Sequence, residues 1–548
     1  MFKQNIEVHQ NRFFGITSLL SDKQVEKMNE SKESYFFKLI VRSINESEFK
    51  PLFSNGYSRP NAPVNILVGA LILKELNNWT FKELFENIEF NLLTKTALGL
   101  QNIQEQPFCY ATLFNFQKRI AEYAQKTGIN LFEKNFDALT LNQIKELKLK
   151  TNIQRTDTTM FDLNIRTYGR LELLIEILIR LHRDLTETDK PKFTEILSEY
   201  TKQSAQKYIY ELKSQDVPKQ IEKIAQVYYK LHNLLQKKDY ENVKSYDNFI
   251  RVFSEHFIVI ENTVTVIENK ELNSSILQSP DAPDATFRNK KDEKHNGLQV
   301  CAVETCNPEN SIQLINHIAV YQNNVDDTTI LNNEIETVKE KTPELNQLHT
   351  DGGFGSTEND HLLTELSVNH VQTAVRGRQT EVEICIEQQT ENYTVSCPNQ
   401  TVESTPTEKR NKVKFNADKC ADCPLKEVCS INKNKQTYYF THDNYLSNKR
   451  KNAIFSLPPE HRKLRPNVEA TMKELLQSTS NGKLRIRETS SVLAYAFNRA
   501  ISINFGRIYR YFCLNFYFLL SFLSKFVKLQ KKYLFWEKYH RNLILQVA

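Results

Sequence analysis

Apolar residues along the first part of the chain recur at the spacing of helices. Ile66, Leu67, Ala70, Leu71, Leu73 and Leu76 fall at mixed three- and four-residue intervals, which predicts a helix with one apolar face. Asn77-Asn78 breaks that face. Thr80 then stands three residues before Glu83, the arrangement of a capping box, and opens a second helix through Leu84 and Ile88. Leu113, Phe116, Ile120 and Tyr123 mark a third, with Lys118 and Arg119 beside them. Short helices followed by one bearing basic residues fit a helix-turn-helix unit, and they fit an ordinary helical bundle as well.

The pattern changes after the lysine-rich stretch Lys145–Lys150. Ile153-Gln154-Arg155-Thr156-Asp157 reads as a short strand ending on an acid. Leu173, Leu174, Ile177, Leu178 and Leu181 then form a helical stripe, and heptad-like positions recur at Ile221, Ile224, Val227 and Leu231. This block has no cluster of catalytic type and reads as a helical insertion. Ser279-Pro280-Asp281-Ala282-Pro283-Asp284 is a loop by composition. Strands are predicted at Leu298–Glu304, Ile312–Tyr321, Leu345–Thr350 and His370–Arg376, with a helix from about Asp327 to Lys339. A mixed sheet with helices packed on it follows. The expected α/β multidomain organisation is an N-terminal helical domain (1–130), a catalytic domain in parts (131–169, 275–378 and 446–548), the helical insertion (170–274) and a Cys-rich insertion (379–445).

Composition narrows the class. A chain of 548 residues is too long for one ordinary core. A hydrophobic fraction of 40% and a charged fraction of 25% indicate a globular protein and exclude a disordered one. The net charge of +6 permits nucleic-acid binding without requiring it. No apolar run at the N-terminus has the length of a signal peptide. The most apolar stretch, Ile508 to Phe526, is interrupted by Arg510, Asn515 and Lys525, so a buried core helix is expected there and no membrane role. Nine cysteines without an export signal fit a reducing, cytoplasmic location.

Three acids stand out by their surroundings. Asp157 ends the first predicted strand. Asp351 follows another and precedes Gly352-Gly353-Phe354-Gly355, which permits tight turning and close approach of a substrate. Glu469 follows Pro466, which suits the first turn of a helix. Taken singly, such acids are more often turn, cap or helix-dipole residues. Their flanks are more specific. Asp157-Thr-Thr with Asn164-Ile165-Arg166 and Arg170-Leu171-Glu172-Leu173, the loop Ser279–Ala285, the run His349-Thr-Asp351-Gly-Gly-Phe-Gly-Ser356, and Arg465-Pro-Asn-Val-Glu469-Ala-Thr-Met-Lys-Glu474-Leu resemble, in order, the motifs of insertion-sequence DDE transposases. The nearest group is the insertion-sequence 1182 type, related to the four/five group.

That resemblance implies an RNase H-like catalytic fold, two Mg²⁺ or Mn²⁺ ions held by Asp157, Asp351 and Glu469, and action on double-stranded DNA at transposon ends and target, by a homodimer at the bacterial nucleoid. It implies hydrolysis that frees a 3′-hydroxyl, and strand transfer by that hydroxyl. The N-terminal helices would bind DNA. Arg465, four residues before Glu469, would pair with a phosphate, and Lys463 and Lys473 would contact DNA. Two positions depart from the pattern: Arg462 stands where a tyrosine is usual, and Leu476 where a lysine is usual, with Lys473 one turn from Glu469 as a substitute. Asp162 and Glu474 are the nearest rival acids. A catalytically decayed or domesticated DNA-binding protein with a structural zinc module is the alternative, and a zinc-stabilised interaction protein a third class.

The cysteines supply the zinc expectation. Cys420-Ala-Asp-Cys423 is a CxxC knuckle, with Cys429 six residues on and Cys397 upstream. Four thiolates can close a tetrahedral Zn²⁺ site, and the resembled group has a similar pattern. Cys385 is a weaker fourth ligand, and free thiols are the plain alternative. Lys409, Arg410, Lys412, Lys414, Lys419, Lys426, Lys433 and Lys435 surround this insertion, Lys449-Arg450-Lys451 and Arg462-Lys463 follow it, and these basic residues suit phosphate contacts.

Overall fold

The computed structural model describes residues 1–6, 15–54, 56, 59–290, 292–373, 382–389, 392–429, 431, 435–476 and 481–514. The chain divides into two units. One comprises Met1–Gln154, Glu304–His317 and the described part of Phe497–Ala548; the other comprises Arg155–Val303 and Ile318–Ala496.

The first unit is helical. Its helix Val64–Leu76 buries nearly every residue, including Asn65 and Glu75, so the single apolar face expected from spacing is a helix enclosed on all sides. Pro63 at its N-cap offers no side-chain acceptor. The buried Glu46 supplies one instead, taking the backbone N–H groups of Val64 at 3.0 Å and Asn65 at 3.3 Å. Thr80 and Glu83 form the reciprocal capping box and start the helix Phe81–Phe90. The helix Tyr110–Thr127 turns Leu113, Phe116 and Ile120 inward.

The second unit is a mixed α/β structure. The strand β1 (Ile153–Asp162) is at the centre of its main sheet. β2 (Phe257–Ile260) and β3 (Thr263–Val266) form a separate hairpin that closes the helical insertion. Sequence spacing assigns those residues to the helical run. β-branched residues and a two-residue turn, Glu261 and Asn262 at φ 48° and 64°, decide for the hairpin. β4 (Thr286–Lys290), β5 (Glu293–Thr305), β6 (Ile315–Gln322), β7 (Gln347–Thr350) and β8 (Asn369–Gln372) complete the main sheet. Its order is β4–β5–β1–β7–β8, with β6 also paired to β5. β4 and β5 are antiparallel, and β7 and β8 parallel. Gly297 lets β5 pass close to β1, since a Cβ there would lie 2.0 Å from the Phe161 carbonyl oxygen. The helices Asp327–Lys341 and Thr357–Glu365 connect β6 to β7 and β7 to β8. The predicted strands match within a few residues, except that residues 374–376 lie outside the described ones.

The helical insertion packs Arg170–Asp184, Lys190–Thr201, Val217–Leu234 and Lys244–His256 around one core that includes Leu174, Leu178, Tyr228 and Phe249. The Cys-rich segment, expected to be mostly loop, holds two small antiparallel sheets. They are β9 (Cys385–Gln388), β10 (Tyr393–Cys397) and β11 (Gln400–Glu403), then β12 (Thr405–Pro406), β13 (Asn411–Lys414) and β14 (Thr437–Phe440). Ile386, Val395, Val413, Phe415 and Phe440 share a core with Tyr445 and Leu446 of the helix His442–Asn452. Few apolar residues per strand suffice because two sheets and a helix cover one another. Residues 489–514 are helical, and the rest of the predicted apolar helix, 515–526, lies outside the described residues. Among the described residues no helix is long and apolar enough to cross a membrane.

Candidate active site

Two neighbouring strands and one short helix supply the acids. β1 does not stop at Asp157, as the sequence suggested, but runs on through Thr158, Thr159, Met160 and Phe161, which keep the extended pattern. Asp157 therefore stands mid-strand and is 9% exposed. β7, next to β1, ends at Thr350, so Asp351 is the first residue past it. Its Oδ1 accepts the Gly353 N–H at 2.7 Å, which folds the glycine loop back on itself. Pro466 lies in a 3-10 turn, Arg465–Asn467, and Glu469 in the first turn of the helix Val468–Leu475 that follows.

One guanidinium joins all three. Arg465 Nη2 lies 2.8 Å from Asp157 Oδ2 and 3.9 Å from Asp351 Oδ2, and Nη1 donates to Glu469 Oε1 at 2.9 Å. Asp157 comes from the sheet interior and Asp351 from the partly exposed end of β7, while the Glu469 side chain is 60% exposed and faces solvent. Burial pushes the Asp157 carboxyl up to about 6. Arg465 and the Thr158 N–H pull it down, and Asp351 and Asp327 push it further up.

Asp327 and Arg155, which carry no expectation from the sequence, and Arg450, which the sequence places among the phosphate-contacting basic residues, hold this arrangement. The Thr158 N–H donates to Asp157 Oδ1 at 2.9 Å, and the Thr158 hydroxyl donates to Asp327 Oδ1 at 2.8 Å, which also takes Gln299 Nε2 at 2.7 Å. Asp327 thus orients the residue that orients Asp157. Arg155 donates through Nη1 to the Leu464 carbonyl at 2.5 Å and so ties β1 to the segment that presents Arg465. Arg450, only 9% exposed, pairs with the buried Asp360 at 2.5 Å and donates to the Ser356 carbonyl at 3.1 Å. A Cβ on Gly355 would lie 2.8 Å from Arg450 Cζ, so this glycine is what lets the guanidinium under the Asp351 loop. An arginine inside a strand read as central was the one available signal for Arg155. Asp327 had none, since it looks like an ordinary helix residue, and Arg450, expected at a phosphate, is instead buried against Asp360.

The other candidates fall elsewhere or stay free. Asp162 accepts from His295 Nδ1 at 2.9 Å, five residues and about 17 Å along β1 from Asp157. Glu474 is five residues from Glu469 on the same helix, about 140° around it. Lys463 and Lys473 are exposed and make no ion pair among the described residues.

The cysteines and the acids differ as cation sites. Cys397, Cys420, Cys423 and Cys429 line one small cavity of about 20 Å³, and Cys385 is not in its wall. Among the described residues, however, no three His, Cys, Asp or Glu side chains are grouped closely enough to hold a metal ion. Cys420 Sγ accepts from Gln400 Nε2 at 3.2 Å, and burial, with the neighbouring Cys397, Cys429 and Cys423, pushes its thiol up. Cys397 and Cys429 pack against the insertion core as small apolar groups. The described residues therefore give the expected zinc site no support, and the same observation holds for a metal-binding group made of the three acids. The acids stand apart in that their oxygens already surround a cation, the Arg465 guanidinium, and are hard donors of the kind Mg²⁺ and Mn²⁺ prefer.

Two protein families match parts of the chain: Transposase domain (DUF772) over residues 22–119, and Transposase DDE domain over residues 384–509. The second segment contains Arg465, Glu469 and the four cysteines, whereas Asp157 and Asp351 lie outside both. No curated protein and no solved structure matches the chain.

Two predictions concern this geometry. The Asp157 carboxyl moves from 3.8 to about 6 on folding, so the neutral form is favoured in the folded state. About two pH units at about 1.4 kcal/mol each cost roughly 3 kcal/mol above pH 6, and the cost fades as pH falls towards 4. In metal-free protein, Asp157→Asn is expected to raise stability by about 1–3 kcal/mol at pH 8 and to have little effect near pH 4. Urea melts at both values test this, and equal melts at pH 8 would contradict it. Arg450→Met leaves Asp360 buried without its cation and is expected to cost about 3–5 kcal/mol. Gly355→Ala crowds the same guanidinium and is expected to cost about 1–3 kcal/mol. A wild-type denaturation midpoint in both would remove this pair from the support of the Asp351 loop.

Proposed function

Because the chain is a DDE transposase of the insertion-sequence type, we propose that Asp157, Asp351 and Glu469 form its catalytic centre, which cuts the phosphodiester bonds at transposon ends and joins the freed 3′-hydroxyl to target DNA. The observation that carries this reading is the meeting of three acids, from positions 157, 351 and 469, at one guanidinium. A mixed sheet with one acid on its central strand, one just past the neighbouring strand and the third on a later helix supports an RNase H-like catalytic domain. The insertion-sequence 1182 type rests on motif resemblance alone.

DDE transposases generally use divalent metal ions such as Mg²⁺. Held by Asp157, Asp351 and Glu469, two such ions would activate the attacking oxygen and stabilise the leaving one. The protein's own part is to hold the carboxylates. Asp157 is fixed by Thr158 and Asp327, Asp351 by the Gly353 N–H, and Glu469 by the start of its helix. Arg465 neutralises the acids and, once they are otherwise compensated, is positioned to take a phosphate oxygen of the DNA. Lys463 and Lys473, exposed on either side of it in sequence, extend that cationic surface. In the first step water attacks phosphorus and the bond to the 3′ oxygen breaks. In the second that hydroxyl attacks a target phosphodiester and displaces another 3′ oxygen. Double-stranded DNA is the partner, and a homodimer would pair two ends. The decayed or domesticated alternative is not favoured, since all three acids are present at the site.

The test is Mg²⁺- or Mn²⁺-dependent cleavage of a duplex carrying the element's own ends. Asp157→Ala, Asp351→Ala and Glu469→Ala are each expected to lower the rate by at least about a thousandfold, corresponding to several kcal/mol of lost transition-state stabilisation. Wild-type cleavage by any one variant would remove that residue from the centre.

A further inference from the structure

The second sheet of the Cys-rich insertion has two unlike faces. β13 lies between β12 and β14, with Lys412 opposite both Thr405 and Tyr439, and Lys414 opposite Thr437. Side chains alternate along a strand, so Val413 and Phe440 share the face that enters the core, and Lys412, Lys414, Thr437 and Tyr439 share the other. Arg410, two residues before Lys412, joins that outer face. Its Cζ lies 3.8 Å from the centre of the Tyr439 ring, and Lys412 Nζ lies 6.0 Å from it. Tyr439 is 41% exposed. Arg410, Lys412 and Lys414 form no ion pair among the described residues, although Glu408 is close in sequence.

A solvated charged face is the plain reading, and two features go past it. Like charges in register along one strand repel, and no acid here offsets them. The one large apolar side chain on this face lies flat beneath a guanidinium, which holds that group's plane and its donors in place before anything binds. Residues two apart on a strand stand about 7 Å apart, close to the separation of successive phosphates along one DNA strand.

We propose that Arg410, Lys412 and Lys414, with Tyr439 beneath the arginine, form a docking surface for the phosphates of one strand of duplex DNA beside the cleavage site. This rests on the reading of the chain as a DNA transposase. The surface is linked to the acids by a rigid element. β14 runs through the capped Thr441 into the helix His442–Asn452, whose Arg450 lies under Gly355 in the Asp351 loop. An eleven-residue helix is about 16 Å long. The contact is to backbone only, so it is independent of sequence.

The experiment measures binding of the full-length protein to a duplex carrying the element's end over a range of salt concentrations. The variants are the combined R410A, K412A and K414A, and separately Tyr439→Ala and Tyr439→Phe. At about 0.9 per phosphate contact, the combined variant is expected to reduce the slope of log affinity against log salt by about 2–3. Tyr439→Ala should reduce it by about one contact, and Tyr439→Phe should leave it unchanged, because the ring and not the hydroxyl holds Arg410. A wild-type slope in the combined variant overturns the proposal, as does tighter binding of the wild type to an RNA duplex than to DNA. If the wild type cuts the duplex and the combined variant keeps its slope, the docking surface alone fails. If the wild type neither binds nor cuts any duplex, the transposase reading fails with it.

Discussion

Three carboxylates cannot share a small, half-buried volume without a cation between them, and here that cation is Arg465. Its two terminal nitrogens reach Asp157, Asp351 and Glu469, which lie more than a hundred residues apart from one to the next in the chain. The contest of effects is visible at Asp157. Burial raises its carboxyl, and the guanidinium and one backbone N–H recover only part of that rise. A site so balanced favours any added positive charge, and this is the property a metal-dependent phosphoryl transfer centre needs. The same feature makes the metal-free state electrostatically costly.

The supporting structure follows from that constraint. Acids in a sheet interior must be held by groups that are themselves satisfied, since a loose polar group there would cost as much as it contributes. Asp327 is held by Gln299 and in turn holds Thr158. Arg450 spans from the insertion helix to Asp360 and the Ser356 carbonyl, and Gly355 makes room for it. The glycines after Asp351 thus have two separate uses. Gly353 brings a backbone N–H onto the acid, and Gly355 admits a buried arginine. Arg450 thus couples the helix that follows the small sheets to the Asp351 loop.

The parts of the fold that were legible in the sequence are those written in local patterns. The capping box at Thr80, the helical stripe from Leu173 to Leu181 and the alternating runs of the main sheet each depend on residues within a turn or two of one another. The small sheets of the insertion were not legible, because each strand is only two to five residues long and finds its core in another sheet and a helix. The β2–β3 hairpin was missed for a related reason: ten residues at the end of a long helical run were outweighed by their context. The cysteine spacing suggests a metal site, which no metal-binding group among the described residues supports.

By itself the sequence determined which acids to consider and what frames them: an arginine one helical turn before Glu469, glycines after Asp351, and a β-forming run around Asp157. These are short-range relations, fixed by helical periodicity and by the freedom of glycine. Only the tertiary structure decided that the three acids meet, that Asp157 is mid-strand, and that a single guanidinium stands among them. It also decided the roles of Asp327, Arg155 and Arg450, which are set by partners far away in the chain. The physical reason is that electrostatic and packing energies depend on distance in space. A sequence records separation along the chain, and folding alone converts one into the other.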